Sequence, residues 1–212
     1  DADVKRWLED VGRITYEELY SSNLDPQLHE FYLDLTAVGN AYITVEEGQE
    51  DSLVFDTLHI GEVYVAQCPH GVVDTMFRKF KMPARHIVEK FGGSRASKGR
   101  ISAKVKEAAQ KEPDTEFEMI HAVYPRPDGE WDPGSSDPKA YPYASVYMEA
   151  DGEKIIEEGG YHEFPAACTR YAVGSGETYG WSLAMLSTSP LKSSTSSKVE
   201  RTSPVPFPSG SA

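Results

Sequence analysis

Six imidazoles, His29, His59, His70, His86, His121 and His162, are the first candidates for chemistry. Histidine is a common metal ligand, and its unperturbed titration lies near neutrality. Their spacing does not build a site. The chain has no His-Glu-x-x-His, and Cys68-x-His70 offers two ligands in one turn with no second pair nearby, whereas a tetrahedral zinc site takes three or four. A surface turn is the better reading of that pair. Paired carboxylates stand at Glu46-Glu47 and Glu157-Glu158. Adjacent residues of a strand point to opposite faces, so neither pair converges as a general acid and base would, and no Gly-x-Ser-x-Gly nucleophile elbow occurs. The run Gly174-Ser-Gly-Glu177-Thr-Tyr-Gly180 has the glycines of a phosphate loop but lacks Gly-Lys-Ser/Thr, and Glu177 places negative charge where phosphate would sit. It reads as a turn before a helix. These residues assign no catalytic, cofactor-binding or metal site, and no cofactor is expected.

The composition sets further bounds. At 212 residues the chain can bury an ample core without disulfides or metal. Formal net charge is -13; the stretch from Ser187 onward contributes +2 (Lys192, Lys198 and Arg201 against Glu200), which leaves -15 for residues 1–186. Such a surface repels phosphates, since duplex affinity comes from Lys and Arg displacing counterions. Tight sequence-specific DNA binding is therefore disfavoured, while a passive place beside sliding DNA is compatible. Two cysteines, Cys68 and Cys168, are too few for a secreted disulfide framework, and no apolar run approaches the roughly 18 residues of a membrane helix. The expectation is a soluble, intracellular chain with no membrane partner. The start at Asp1, without methionine, reads as processing or excision from something longer.

The elements that would carry these residues follow from periodicity. Val4, Trp7, Leu8 and Val11 recur at helical spacing. A second helix is predicted from Asp25 as cap and Pro26, with a stripe of Leu28, Phe31, Tyr32 and Leu35 and a stop at Gly39. The period then falls to two through Ala41, Ile43 and Val45, Val54 to Ile60, Val63 and Val65, and Val73, Thr75 and Phe77, which predicts one antiparallel meander turning at Pro69-His70-Gly71. Helices are predicted from Pro83 to Gly92-Gly93, around Ala84, Ile87, Val88 and Phe91, and around Ile101, Val105, Ala108 and Ala109, with a polar loop between them over 94–100. Strands are expected at Phe117 to Tyr124, at Tyr143 to Met148, and after the Asp151-Gly152 hairpin at Ile155 and Ile156. Residues 125–142, dense in Pro, Gly, Asp and Ser, read as a long exposed excursion, and 187–212, rich in Ser, Thr and Pro, as a disordered tail. The fold class is α+β, a mostly antiparallel sheet with flanking helices, with domains at 1–186 and 187–212.

Four stretches in order carry a resemblance. They are Leu33-Asp-Leu-Thr-Ala-Val-Gly39-Asn40-Ala41, His59-Ile-Gly-Glu-Val-Tyr-Val65, Gly71-Val-Val-Asp-Thr-Met-Phe77-Arg-Lys-Phe80-Lys-Met82, and Gly160-Tyr-His-Glu-Phe-Pro165 running on to Gly180. Together they resemble the head-to-tail connecting (portal) proteins of short-tailed bacteriophages over roughly Val4 to Met185. The resemblance implies a wing-like α+β region of a structural subunit with no catalysed reaction. It also implies self-association into a dodecameric ring, capsid, terminase and tail proteins as partners, and double-stranded DNA passing through without sequence-specific binding. The implied place is the portal vertex of the virion, and the host cytoplasm during assembly. Sheet edges and the long loop are the expected contacts between copies. The chain departs from the family where that reads Phe-Pro-Tyr-x-x-Pro-Arg-Trp, having Phe164-Pro-Ala-Ala-Cys168-Thr-Arg170-Tyr171 instead, and again at Tyr179-Gly180-Trp181, where the family has Tyr-Gly-Arg. Loss of apolar periodicity after Met185 adds the expectation of a truncated or frameshifted remnant, monomeric or loosely oligomeric in isolation. Two rivals share the composition: an acidic module that binds a protein partner, and a metal-dependent hydrolase using the scattered histidines.

Overall fold

The computed structural model describes residues 2–48, 53–93, 100–132, 134–152 and 154–187. All but Ser187 of the expected tail at 187–212, and all but Arg100 of the expected loop at 94–100, lie outside the described residues. Within them the chain is α+β, as its periodicities predict, with two sheets where the sequence suggested one meander.

Helix α1 spans Ala2–Ser21 and runs well past its early stripe, yet it buries none of its residues. Helix α2, Leu24–Val38, ends where Gly39 adopts φ 85°, the left-handed conformation only glycine takes cheaply, and the Gly39 amide donates to the Leu35 carbonyl. Its start differs from expectation. Asn23, not Asp25, holds the cap position, and Asn23 is engaged elsewhere: its amide donates to the Phe55 carbonyl at 2.7 Å and its oxygen accepts from the Phe55 amide at 2.8 Å. Of the predicted stripe only Phe31 is fully buried, and Tyr32 is exposed.

Strands β1 (Asn40–Glu46), β2 (Val54–Leu58) and, much later, β8 (Ala166–Arg170) form a three-stranded antiparallel sheet with β1 in the centre. Strands β3 (Val63–Gln67), β4 (Val73–Pro83), β5 (Glu116–Pro125), β6 (Tyr143–Glu149) and β7 (Lys154–Tyr161) form a five-stranded antiparallel meander in chain order. A 3-10 turn, Ile60–Glu62, carries the chain between the sheets, and the Cys68–Val72 turn closes the β3–β4 hairpin with Gly71 at φ 80°. Strand β8 was not anticipated.

Strand β1 explains the layering. Its side chains alternate, so Ala41 and Ile43 face α2 and meet Phe31 and Phe55, while Tyr42 faces the large sheet and meets Leu58, Val65, Met76 and Val123. Both faces are covered, which is why four successive residues, Asn40 to Ile43, are buried. The same face of the large sheet has a second cover. Helix α3 (Ala84–Gly92) and helix α4 (Ala103–Lys111) pack Ala84, Ile87, Phe91 and Val105 onto Met119 and Ile156. Ile101 packs there from just before α4, and Ser102 caps that helix by accepting from the Val105 amide. The described residues of 125–142 are mostly exposed, with Arg126, Tyr141 and Pro142 half-buried, and the excursion is organised. Asp137 caps a 3-10 turn at Pro138–Ala140, and the Asp132 amide donates to the Ala140 carbonyl. Among the described residues no helix is long and apolar enough to cross a membrane.

Candidate functional site

The two covers of the large sheet leave a seam, and the seam is polar. Along β5 one face presents Met119, His121 and Val123; Met119 lies under the helices and Val123 under the small sheet, so His121 lies between. Register carries that row across the strands: Arg78 pairs with His121, His121 with Tyr147, and Tyr147 with Glu157. Above the row stand Lys90 from α3 and Glu46 from β1, 3.8 Å apart. The crevice so formed has a volume of about 530 Å³, and a second of about 470 Å³ adjoins it through Glu46, Lys90, Tyr147 and Tyr161.

Arg78, Lys90 and Glu46 each have a charged partner. Arg78 donates through Nε to Glu62 at 3.1 Å and through a terminal nitrogen to Asp56 at 3.0 Å, with its guanidinium 4.6 Å from the Phe80 ring centre. Lys90 also sits 5.0 Å from the centre of the Tyr147 ring. His121 is stacked on Tyr147 with ring centres 3.9 Å apart, and its Nε2 shares a 2.9 Å hydrogen bond with Ser145 Oγ.

A serine hydrogen-bonded to histidine has the outline of a nucleophile and its base, but the electrostatics oppose that use. Burial first, then the positive charges of Lys90 and Arg78, push the His121 pKa down to about 3. A general base works best with a pKa near the operating pH, and it needs an orienting group that stabilises its protonated form. Two cations do the reverse. Burial likewise raises Tyr147 and Tyr161 above the ordinary tyrosine range. What the row can do is tie the covers together and to the sheet through paired charges, Lys90 with Glu46 and Arg78 with Asp56.

The other histidines are not brought together. His29, His59, His70, His86 and His162 are exposed. His59 Nδ1 accepts from the Gly61 amide, and His162 stacks on Tyr141 at 3.8 Å. Among the described residues no three His, Cys, Asp or Glu side chains are grouped to hold a metal ion. Both cysteines are free, and burial pushes the Cys168 thiol up to about 12. Glu157 and Glu158 face opposite sides of β7, the former opposite Tyr147 in the row, the latter 3.4 Å from Arg126. The run 174–180 is a docked turn. Glu177 accepts from the Gly174 amide and from the Trp181 indole, and the Gly180 amide donates to Asn40 Oδ1 at 2.7 Å.

The seam itself was missed by sequence reasoning, although a signal exists. Three neighbouring strands each carry a polar residue in the middle of an otherwise apolar face: Arg78 between Met76 and Phe80, His121 between Met119 and Val123, and Ser145 among tyrosines.

The outer edges of the sheets are also partly engaged. On β2, Asn23 takes both backbone groups of Phe55, and the Thr57 amide donates to Gln27 Oε1 at 2.6 Å. On β3, the Val65 amide donates to the Tyr179 hydroxyl at 3.3 Å. Self-association through β2 or β3 would therefore have to displace contacts already made.

A model of the family described as bacteriophage head to tail connecting protein matches residues 1–199. The chain is 34% identical over 179 residues to the portal protein of Salmonella phage epsilon15, an alignment covering 83% of this chain and 31% of that protein. It is 33% identical over 186 residues to the probable portal protein of Bordetella phage BPP-1, covering 87% of this chain and 32% of that one. The chain thus spans about a third of the length of these curated relatives.

Proposed function

Because the chain belongs to the bacteriophage head to tail connecting protein family, we propose that it is a structural, non-catalytic part of a portal, the ring that joins head to tail and through which the genome passes. The observation that carries this reading is the continuous similarity to the epsilon15 portal protein over 83% of the chain. Both sheets fall within the family match, so it is a whole layered unit that is shared and not a single motif.

Two physical features support the structural role. The most chemically suggestive pair, Ser145 and His121, is buried with the imidazole held neutral and flanked by cations. The -15 charge on residues 1–186 gives duplex DNA no adhesive surface, which suits a conduit through which a polymer slides. In this reading residues 1–186 are the wing-like region and 187–212 a separate segment. The partners are other copies of the portal subunit, capsid, terminase and tail proteins, and DNA in transit, and the protein resides at the portal vertex of the virion after assembly in the host cytoplasm.

The test is to induce the phage that encodes the chain, band its virions by density, and probe them with antibody raised against residues 1–186. Recovery in virions, with immunogold at a single vertex, is the expected result. Absence from virions and procapsids alike would overturn the reading.

A further inference from the structure

The last described residues carry a cluster of exposed apolar side chains, and part of it is concave. Tyr179, Trp181 and Met185, exposed at 43, 44 and 41%, line a shallow groove of about 460 Å³ together with Glu177, Thr178 and Gly180. No lining residue is shared with the crevice between the covers. Hydrogen bonds to the body hold the groove in shape. The Val65 amide donates to the Tyr179 hydroxyl at 3.3 Å, the Trp181 indole donates to Glu177, and the Gly180 amide donates to Asn40 Oδ1. With those polar groups engaged, the groove offers a partner aromatic and aliphatic surface beside one carboxylate.

We propose that this chain's own Pro204-Val-Pro-Phe-Pro208 occupies the groove. Each proline fixes its own φ and keeps the residue before it out of helical backbone, so Val205 and Phe207 lose little freedom on docking. Proline-rich segments bind aromatic-lined grooves for this reason. Charge points the same way. The stretch from Ser187 onward carries +2 against -15 for residues 1–186, and Lys198 and Arg201 lie close enough in sequence to Pro204 to stand beside Glu177. Tethering then decides between this occupant and others. Residues 188–203, mostly Ser, Thr and Lys, start just past the groove wall at Met185, and a flexible tether of that length spans roughly 20–25 Å. The segment is thereby held near the groove at an effective concentration on the order of 1 mM, so a contact with a dissociation constant of about 100 µM is closed about nine-tenths of the time. A partner free at about 1 µM would have to bind roughly a thousandfold more tightly to hold the groove equally. Seated, the segment keeps the apolar cluster from other chains; released, it exposes it. The family match ends at residue 199, so residues 204–208 lie outside it, and the docking stands or falls separately from the portal reading.

The test uses the full 212-residue chain with Trp7→Phe and Trp131→Phe, which leaves Trp181 as the only tryptophan. Its acrylamide quenching and emission maximum are compared with those of the same chain carrying Val205→Ser and Phe207→Ser. Both of those positions lie outside the sheets, so the variant keeps its fold, checked by far-ultraviolet circular dichroism, and a change in Trp181 reports the groove. The expected result is a quenching constant about twofold or more higher in the variant with a red-shifted emission, unchanged between about 1 and 100 µM protein because the contact is within one chain. A synthetic peptide of residues 200–212 at about 1 mM, the concentration the tether supplies, should return the variant to the parent's values. Equal quenching in the two chains, or a peptide without effect, overturns the docking. Protection of Trp181 that grows with protein concentration gives the groove to a second copy, and protection that appears only when another protein is added gives it to that partner; either overturns the proposal.

Discussion

Replacing Gly39 by alanine should be among the most damaging single-methyl changes in the molecule, and its cost can be separated into parts. The residue sits at φ 85°, where an L side chain costs about 1–2 kcal/mol. A Cβ there would also meet backbone, colliding with the Ser182 amide nitrogen and the Trp181 carbonyl carbon and lying 2.8 Å from the Trp181 oxygen. Backbone cannot rotate away as a side-chain end can, so the 180–182 segment must lift. Lifting it strains the reciprocal pair in which the Gly180 amide donates to Asn40 Oδ1 at 2.7 Å and Asn40 Nδ2 donates to the Gly180 carbonyl at 3.1 Å. Two such bonds contribute about 0.5–1.5 kcal/mol each, so the total is about 3–4 kcal/mol. Gly71→Ala is the internal control: its φ is 80°, and nothing lies within 4 Å of the added carbon, so only the conformational part applies. Urea unfolding of both variants with tryptophan fluorescence, which includes Trp181, should show Gly39→Ala the less stable of the two by about 2 kcal/mol. Equal losses at the two sites would refute the claim that the 180–182 segment is clamped against the end of α2.

Two further outcomes follow from the site and its supports. His121 is neutral when folded, with its pKa lowered to about 3, against 6.5 for an unperturbed imidazole, so below pH 6.5 the unfolded chain takes up a proton that the folded chain refuses. Stability is unaffected by this group above pH 6.5 and falls as the pH drops from there toward 3, by up to about 1.4 kcal/mol per pH unit. The His121→Gln variant should show a shallower acid limb in the same titration, and parallel curves would show that His121 is charged in the fold. Ser102→Ala removes the cap of α4 and should cost about 1 kcal/mol in chemical denaturation, while Ser102→Asp should restore most of it.

Much of this architecture could be read locally, and what could not be read is instructive. Helix α2 and its stop were visible because Gly39 acts on its immediate neighbours, and the β5–β7 meander was visible because each strand pairs with the next. Strand β8 was invisible for the opposite reason. Ala166-Ala-Cys-Thr-Arg170 has little alternation of its own, and its partner β1 lies far upstream. The Asn23 cap position escaped notice because Asn23 uses its side chain on Phe55, a tertiary contact that outweighs a local preference. The polar seam depends on where two covers of one sheet meet. A window along β5 shows only a histidine between two apolar residues, which is equally the pattern of an ordinary half-buried strand.

The central place of β1 sets the order in which the molecule can be made. It pairs on one side with β2, a short hairpin away, and on the other with β8, and Asn40 is fastened to Gly180 across 140 positions of chain. The five-stranded meander needs only neighbours and can assemble as a ribosome delivers it. The first sheet, although begun earliest, keeps one side of β1 open until nearly the whole described chain has emerged. During synthesis the N-terminal third is therefore the last part to become complete, and any nascent product ending before residue 166 would carry a bare apolar strand that invites pairing with the wrong chain.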